Sequence, residues 1–203
     1  MRRVVLLLVI VLAGCGQAER PYSPAAEPAP VKSSAKTSAR ATTQPEEALP
    51  TGPQSIAIGD GLRVRVEWPA DPDPLLKVIV DQYVGTRQAV VDGTRGYRRN
   101  LEIKAEEQAT EWVNQFIDEE RSMRGTGRLY DLRISARMGK GAQVNACVDE
   151  SGVRMISSRT GKAVAPQPDW LRTPYSQSVV AHRGDDGVWR IRSYIPSTER
   201  CSR

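Results

Sequence analysis

The sequence predicts an α+β domain over residues 61–203. Two stretches near the start of that region carry apolar residues at helical spacing, at about 74–91 and 100–123. A succession of short segments follows in which apolar and polar residues alternate, separated by turns bearing Gly and Pro. Helices first and an antiparallel meander afterwards is an α+β pattern.

The first elements lie outside that domain. Met1-Arg2-Arg3 is a short positive start, and residues 4–13 form an unbroken apolar run. The run falls short of the ~20 residues that a membrane-spanning helix needs and suits a secretory signal peptide. It closes on Leu12-Ala13-Gly14-Cys15. These four residues resemble the lipobox of bacterial lipoproteins. The resemblance implies a signal peptide over 1–14, cleavage before Cys15, and a diacylglyceryl group on the Cys15 sulfur. Two acyl chains hold a protein stably to a membrane, where one does not. The expected location is therefore the cell membrane, lipid-anchored (palmitate-type acylation) on the extracytoplasmic side. Arg2-Arg3 leaves a twin-arginine export route open beside general secretion.

Residues 15–60 read as a disordered tether. Over 16–55, Pro, Ala, Ser and Thr make up more than half the residues, and large apolar side chains are few. Such a composition cannot bury enough surface to offset its ordering entropy. A flexible chain of that length spans about 35 Å.

Within 61–203, Leu62-Arg63-Val64-Arg65-Val66-Glu67-Trp68 alternates as a half-buried strand. Asp73 before Pro74 makes an N-cap with Pro in the first helical turn. Leu76, Ile79, Val80, Tyr83 and Val90 then share a helix face, and Gly93 is the stop. Asn100 is the expected cap of the second helix, whose buried stripe is Ala105, Ala109, Trp112, Val113, Phe116 and Ile117, with Gly125 and Gly127 ending it. Tyr130, Leu132, Ile134, Ala136 and Met138 alternate next, up to a hairpin turn at Gly139-Lys140-Gly141. Val144, Ala146 and Val148 point inward on the following strand, which sends Cys147 to the other side. A short strand at 153–157, a Pro-bearing loop, and strands at 175–183 and 188–195 across Gly184-Asp185-Asp186-Gly187 complete the domain.

This order, with Val144-Asn145-Ala146-Cys147-Val148-Asp149 on a central strand and Gly187-Val188-Trp189-Arg190-Ile191 on a late hairpin, resembles the cone-shaped nuclear transport factor 2-like fold. The likeness is greatest to its versions in actinobacterial lipoproteins and covers about 75–201. It implies two helices seated in a curved sheet and a final cysteine returning to the central strand. Such cones host isomerases, dehydratases and non-catalytic binding modules, so the fold does not choose among them.

The chemistry of the chain narrows the choice. With Cys15 lipidated, Cys147 and Cys201 are an even pair in an oxidising compartment, which favours a disulfide over two free buried thiols. A single histidine, His182, and no close cysteine pair leave no metal set. His182 next to Asp185 and Asp186 admits a His–Asp dyad, though turn aspartates usually serve backbone hydrogen bonds. Tyr83 reads as a core tyrosine with its hydroxyl at the rim. Trp112, Tyr130, Trp189 and Tyr194 read as core filling or as the lining of a small cavity. No nucleophile elbow or phosphate-binding glycine loop is present, and no cofactor is expected. Removing Arg2 and Arg3 from the 29 Lys and Arg leaves 27 against 24 Asp and Glu, too mild an excess to suggest nucleic acid. Arginines at alternate strand positions, Arg63 and Arg65, Arg133 and Arg137, Arg190 and Arg192, share one sheet face if their strands are neighbours. That face is either merely solvated or a docking surface for an envelope protein, wall polymer or anionic lipid. A non-catalytic envelope lipoprotein that binds a partner or ligand is the expected function; a cone-pocket isomerase or dehydratase is the alternative.

Overall fold

The computed structural model describes residues 49–195 and Cys201. The signal peptide, Cys15 and the tether as far as residue 48 lie outside the described residues. The described chain is α+β, with two helices and a six-stranded sheet of order β1-β2-β3-β4-β5-β6.

Strand β1 (Gly52–Ile58) runs antiparallel to β2 (Leu62–Trp68). This corrects the expected tether, which was to reach residue 60. Ile58 is buried and Ile56 partly so, and an outermost strand tolerates Pro53 because only one of its edges needs donors. In β2 the alternation holds throughout: Leu62, Val64, Val66 and Trp68 are buried and the residues between them are not.

Helix α1 (Leu76–Asp92) starts two residues later than expected, after a turn at Pro74 and Leu75 that Asp73 opens. The Asp73 carboxylate accepts the Leu75 N–H at 2.8 Å, and Gly93 closes the helix at φ +73 with its N–H on the Ala89 carbonyl. Helix α2 (Ile103–Asp118) departs from expectation at both ends. Asn100 is left-handed (φ +59), whereas an N-cap is extended. Its carbonyl instead takes the Ile191 N–H, and Glu102 returns an N–H to the Ile191 carbonyl, both at 2.8 Å. The helix therefore begins after Glu102. It ends at Asp118 because Glu120 turns the chain at φ +50, so Met123 is buried in a strand rather than in a last helical turn. Ile117, placed in the buried stripe by its spacing, is half-exposed.

Strand β3 (Arg121–Met138) lies parallel to β2 and antiparallel to β4 (Gly141–Ser157), which absorbs the short strand expected at 153–157. Gly125 sits inside β3, not at a helix end. A Cβ there would stand 2.2 Å from the Gly152 carbonyl oxygen, so only glycine lets the two strands close. Strands β5 (Tyr175–Arg183) and β6 (Trp189–Ile195) complete the sheet. The segment at Leu101 covers the outer edge of β6 through a parallel bridge to Ile191.

Both helices pack on one face of the sheet, α1 against β3 and α2 against β6 and β3. Val64, Val66, Leu129, Val144, Ala146, Val148, Val179, Ala181 and Ile191 meet Ile79, Tyr83, Ala105 and Val113 in a single core. Cys147 and Cys201 are joined by a disulfide, Cα to Cα 5.7 Å. Among the described residues no helix is long and apolar enough to cross a membrane.

Candidate functional site

The core is interrupted by two opposite charges. Arg87 stands on the buried face of α1, one turn beyond Tyr83, and Glu150 extends the inward alternation of Val144, Ala146 and Val148 on β4. Their side chains are 7% and 1% exposed, and Arg87 Nε donates to Glu150 Oε1 at 3.0 Å. The carboxylate is fully engaged. Tyr83 donates its hydroxyl to Oε1 at 2.8 Å and Tyr175 donates to Oε2 at 2.9 Å, while Arg87 Nη2 donates to the Tyr175 oxygen at 3.0 Å. Arg87 Nη1 donates to Thr86 Oγ1 at 3.2 Å. The guanidinium is held between two aromatic faces, 4.0 Å from the Tyr83 ring centre and 4.5 Å from that of Trp112. Gly127 leaves room for this cluster, since a Cβ there would lie 3.0 Å from the Tyr83 hydroxyl.

Every perturbed group of the cluster is locked in one protonation state. Burial pushes the Tyr83 hydroxyl well above the usual tyrosine range, and the Glu150 charge adds to the shift. Burial raises Tyr175 too, against the opposing pull of Arg87. For Arg87 burial works against the charge, but Glu150 and the two tyrosines outweigh it and the pKa rises.

The cluster forms one end of a cavity of about 320 Å³ between α1, α2, β5 and the end of β6. Gln82, Arg87, Trp112, Tyr175, Gln177 and Tyr194 are among its lining. The Gln108 amide exchanges hydrogen bonds with the Tyr194 backbone at 3.0 and 3.4 Å and so ties α2 to β6. The Tyr194 hydroxyl is buried and faces Gln82 without a well-formed hydrogen bond; burial raises its pKa as well. Ser176 and Ser178, two further lining residues, stand opposite Cys147 and Asn145 on β4, so their side chains turn to the other face of the sheet.

Of the residues singled out by sequence, Trp112 and Tyr194 come together at this cavity. Trp189 instead lines a groove beside α1, and Tyr130 carries Arg128 over its ring at 4.1 Å. Tyr83 has its hydroxyl deep in the core, not at a rim. His182 approaches Glu102 at 3.3 Å, and the turn aspartates pair elsewhere, Asp185 with Lys140 and Asp186 with Arg190, so no His–Asp dyad forms.

The expected arginine face is also corrected. Partnered residues across an antiparallel ladder present side chains on the same side. Arg133 is opposite Asn145 and Ile134 opposite Val144, but an irregularity at Ser135 then sets Ala136 opposite Gln143 and Arg137 opposite Ala142. Arg137 thereby shares the helix-covered face with Ala142, Ala181 and Ile191, and it pairs with Asp73 ahead of α1. The arginines of the outer face alternate with acids: Arg65 and Arg128 with Glu67, Arg133 with Asp131, Arg190 with Asp186, Arg192 with Glu102 at 3.8 Å. These pairs set four carboxylates against five arginines, so they reduce the positive charge of that face without cancelling it.

No family model matches the chain. No curated protein matches it either. Among the solved structures that do match is a crystal structure, at 1.75 Å, of a protein from Novosphingobium aromaticivorans conjectured to be an aromatic ring hydroxylase. It is 14% identical, with a TM-score of 0.41 over 61% of this chain and 88% of that one.

Proposed function

We propose that the protein is an extracytoplasmic lipoprotein, held by lipid on Cys15, whose nuclear transport factor 2-like cone is a non-catalytic module that binds a small molecule. The lipobox-like Leu12-Ala13-Gly14-Cys15 supports the anchor. Two helices on one face of a meander of β3 to β6 support the cone. The cavity beside Arg87 carries the binding reading. It combines aromatic walls with Arg87, Gln82, Gln177 and a buried Tyr194 hydroxyl that has no well-formed partner among the described residues, the make-up of small-molecule sites. Acid–base turnover needs a group whose pKa lies near the working pH. Arg87, Tyr175 and Tyr194 are all displaced away from neutrality, which suits holding a ligand over transforming it.

The test is to purify the protein from its own host's membranes and analyse an organic extract for a retained small molecule. Ala109 lines the cavity and is buried, so Ala109→Phe should fill the space. Wild type is expected to yield a near-stoichiometric compound that the filled variant lacks. Identical extracts from the two proteins would end the reading. Labelled palmitate is expected on wild type and not on Cys15→Ser.

A further inference from the structure

We infer that the cavity beside Arg87 selects an uncharged aromatic molecule bearing an amide or hydroxyl edge, and rejects the matching carboxylate. The inference rests on the binding reading above and names the ligand class of that site. An arginine at the end of a pocket ordinarily marks an anion site, because its planar fork matches a carboxylate or phosphate. Here that partner is already supplied by the chain. Glu150 is in direct contact with Arg87, almost wholly buried, and bonded to two tyrosine hydroxyls as well. Seen from the cavity, the pair is neutral.

An anionic ligand would enter against that neutrality. Its attraction to Arg87 would be opposed by repulsion from Glu150 beside it. The cost of stripping water from the ligand's own charge would remain. A cationic ligand meets the converse problem at Arg87. A neutral polar group escapes both.

The cavity has hydrogen-bonding capacity for such a group. A guanidinium has five N–H donors. Three are engaged, by Glu150, Thr86 and Tyr175, which leaves two. The Tyr194 hydroxyl, which can both donate and accept, is without a well-formed partner among the described residues. A carbonyl oxygen suits the first and an amide or hydroxyl suits the second. Trp112, Tyr175 and Tyr194 provide ring surfaces, and Ala109 lines the same space. A volume of about 320 Å³ is at the small end of the ~300–1,000 Å³ usual for such sites, enough for one or two fused rings.

Two matched pairs of probes test this: benzamide against benzoate, and naphthamide against naphthoate. The protein is the full chain carrying Cys15→Ser, so that no lipid intervenes, and binding is read at neutral pH by calorimetry and tryptophan fluorescence. The amide of at least one pair is expected to bind about tenfold or more tightly than its acid, and Glu150→Gln, which uncovers the Arg87 charge, is expected to reverse the order. Should that variant fail to fold, the wild-type comparison decides alone. Acids that bind wild type as tightly as their amides would overturn the inference and leave the binding reading standing. No binding of any probe up to its solubility limit would overturn both.

Discussion

Replacing Arg87 with Met removes one member of a buried ion pair and leaves the Glu150 carboxylate with only its two tyrosine donors. Breaking such a pair from one side costs about 3–5 kcal/mol, because an uncompensated charge stays in the core. Glu150→Gln, which strands Arg87 instead, should cost a similar amount. In the double variant both charges are gone. What remains lost is chiefly the bonds of Arg87 to Thr86 and Tyr175, at about 1 kcal/mol each. The double variant should thus be destabilised by about 2 kcal/mol, well under either single variant. The coupling from the complete cycle should be about 4 kcal/mol or more. Urea unfolding of all four proteins, with the slopes checked for equality, measures it. If the double variant loses the sum of the two single losses to within ~0.5 kcal/mol, the two side chains are not coupled and the neutral-pair argument fails with them.

Three further outcomes are expected. The disulfide closes a loop of sequence separation 54, so the double variant Cys147→Ser, Cys201→Ser should lose about 4 kcal/mol in chemical denaturation; a loss under ~1 kcal/mol would show that the link adds nothing to the fold. A chain starting at Gly59, lacking β1 and its buried Ile58, should melt about 10 °C below one starting at Leu49, and equal melting temperatures would return β1 to the status of tether. The hydrogen bond from Arg128 holds the Glu67 carboxyl below the usual glutamate range. Its contribution to stability is therefore complete above about pH 4.3 and is lost as pH falls through the lower folded-state value. Melting temperatures followed from neutral to acid pH should fall less steeply in Glu67→Gln; parallel curves would remove Glu67 from the account.

Legibility in the sequence followed local regularity. β2 alternates without exception, and the alternation set its buried face correctly. Asp73-Pro74 and Gly93 bracketed α1, and Gly139-Lys140-Gly141 marked a hairpin, because cap and turn chemistry acts over a few residues. β1 was obscured by its Pro and Gly, which an outermost strand tolerates and an inner one does not. The parallel pairing of β2 with β3 has no local signature. Neither has the irregularity at Ser135, yet that one residue reverses the side to which Arg137 points. The Arg87–Glu150 pair did leave a trace. Arg87 falls on the apolar stripe of α1 at one turn from Tyr83, and Glu150 falls two residues after Val148 in an inward series. Each alone resembles a frayed pattern. A cation and an anion each intruding on a buried face are together the sequence signature of a buried ion pair.

The sheet order has a consequence for access. The described chain joins the domain at β1, and the cavity opens beside β5 and β6 at the other margin. Five steps between neighbouring strands separate the two, about 24 Å along the sheet at the usual spacing. The strand at which the described chain enters and the strands that line the cavity are thus at opposite margins of the sheet.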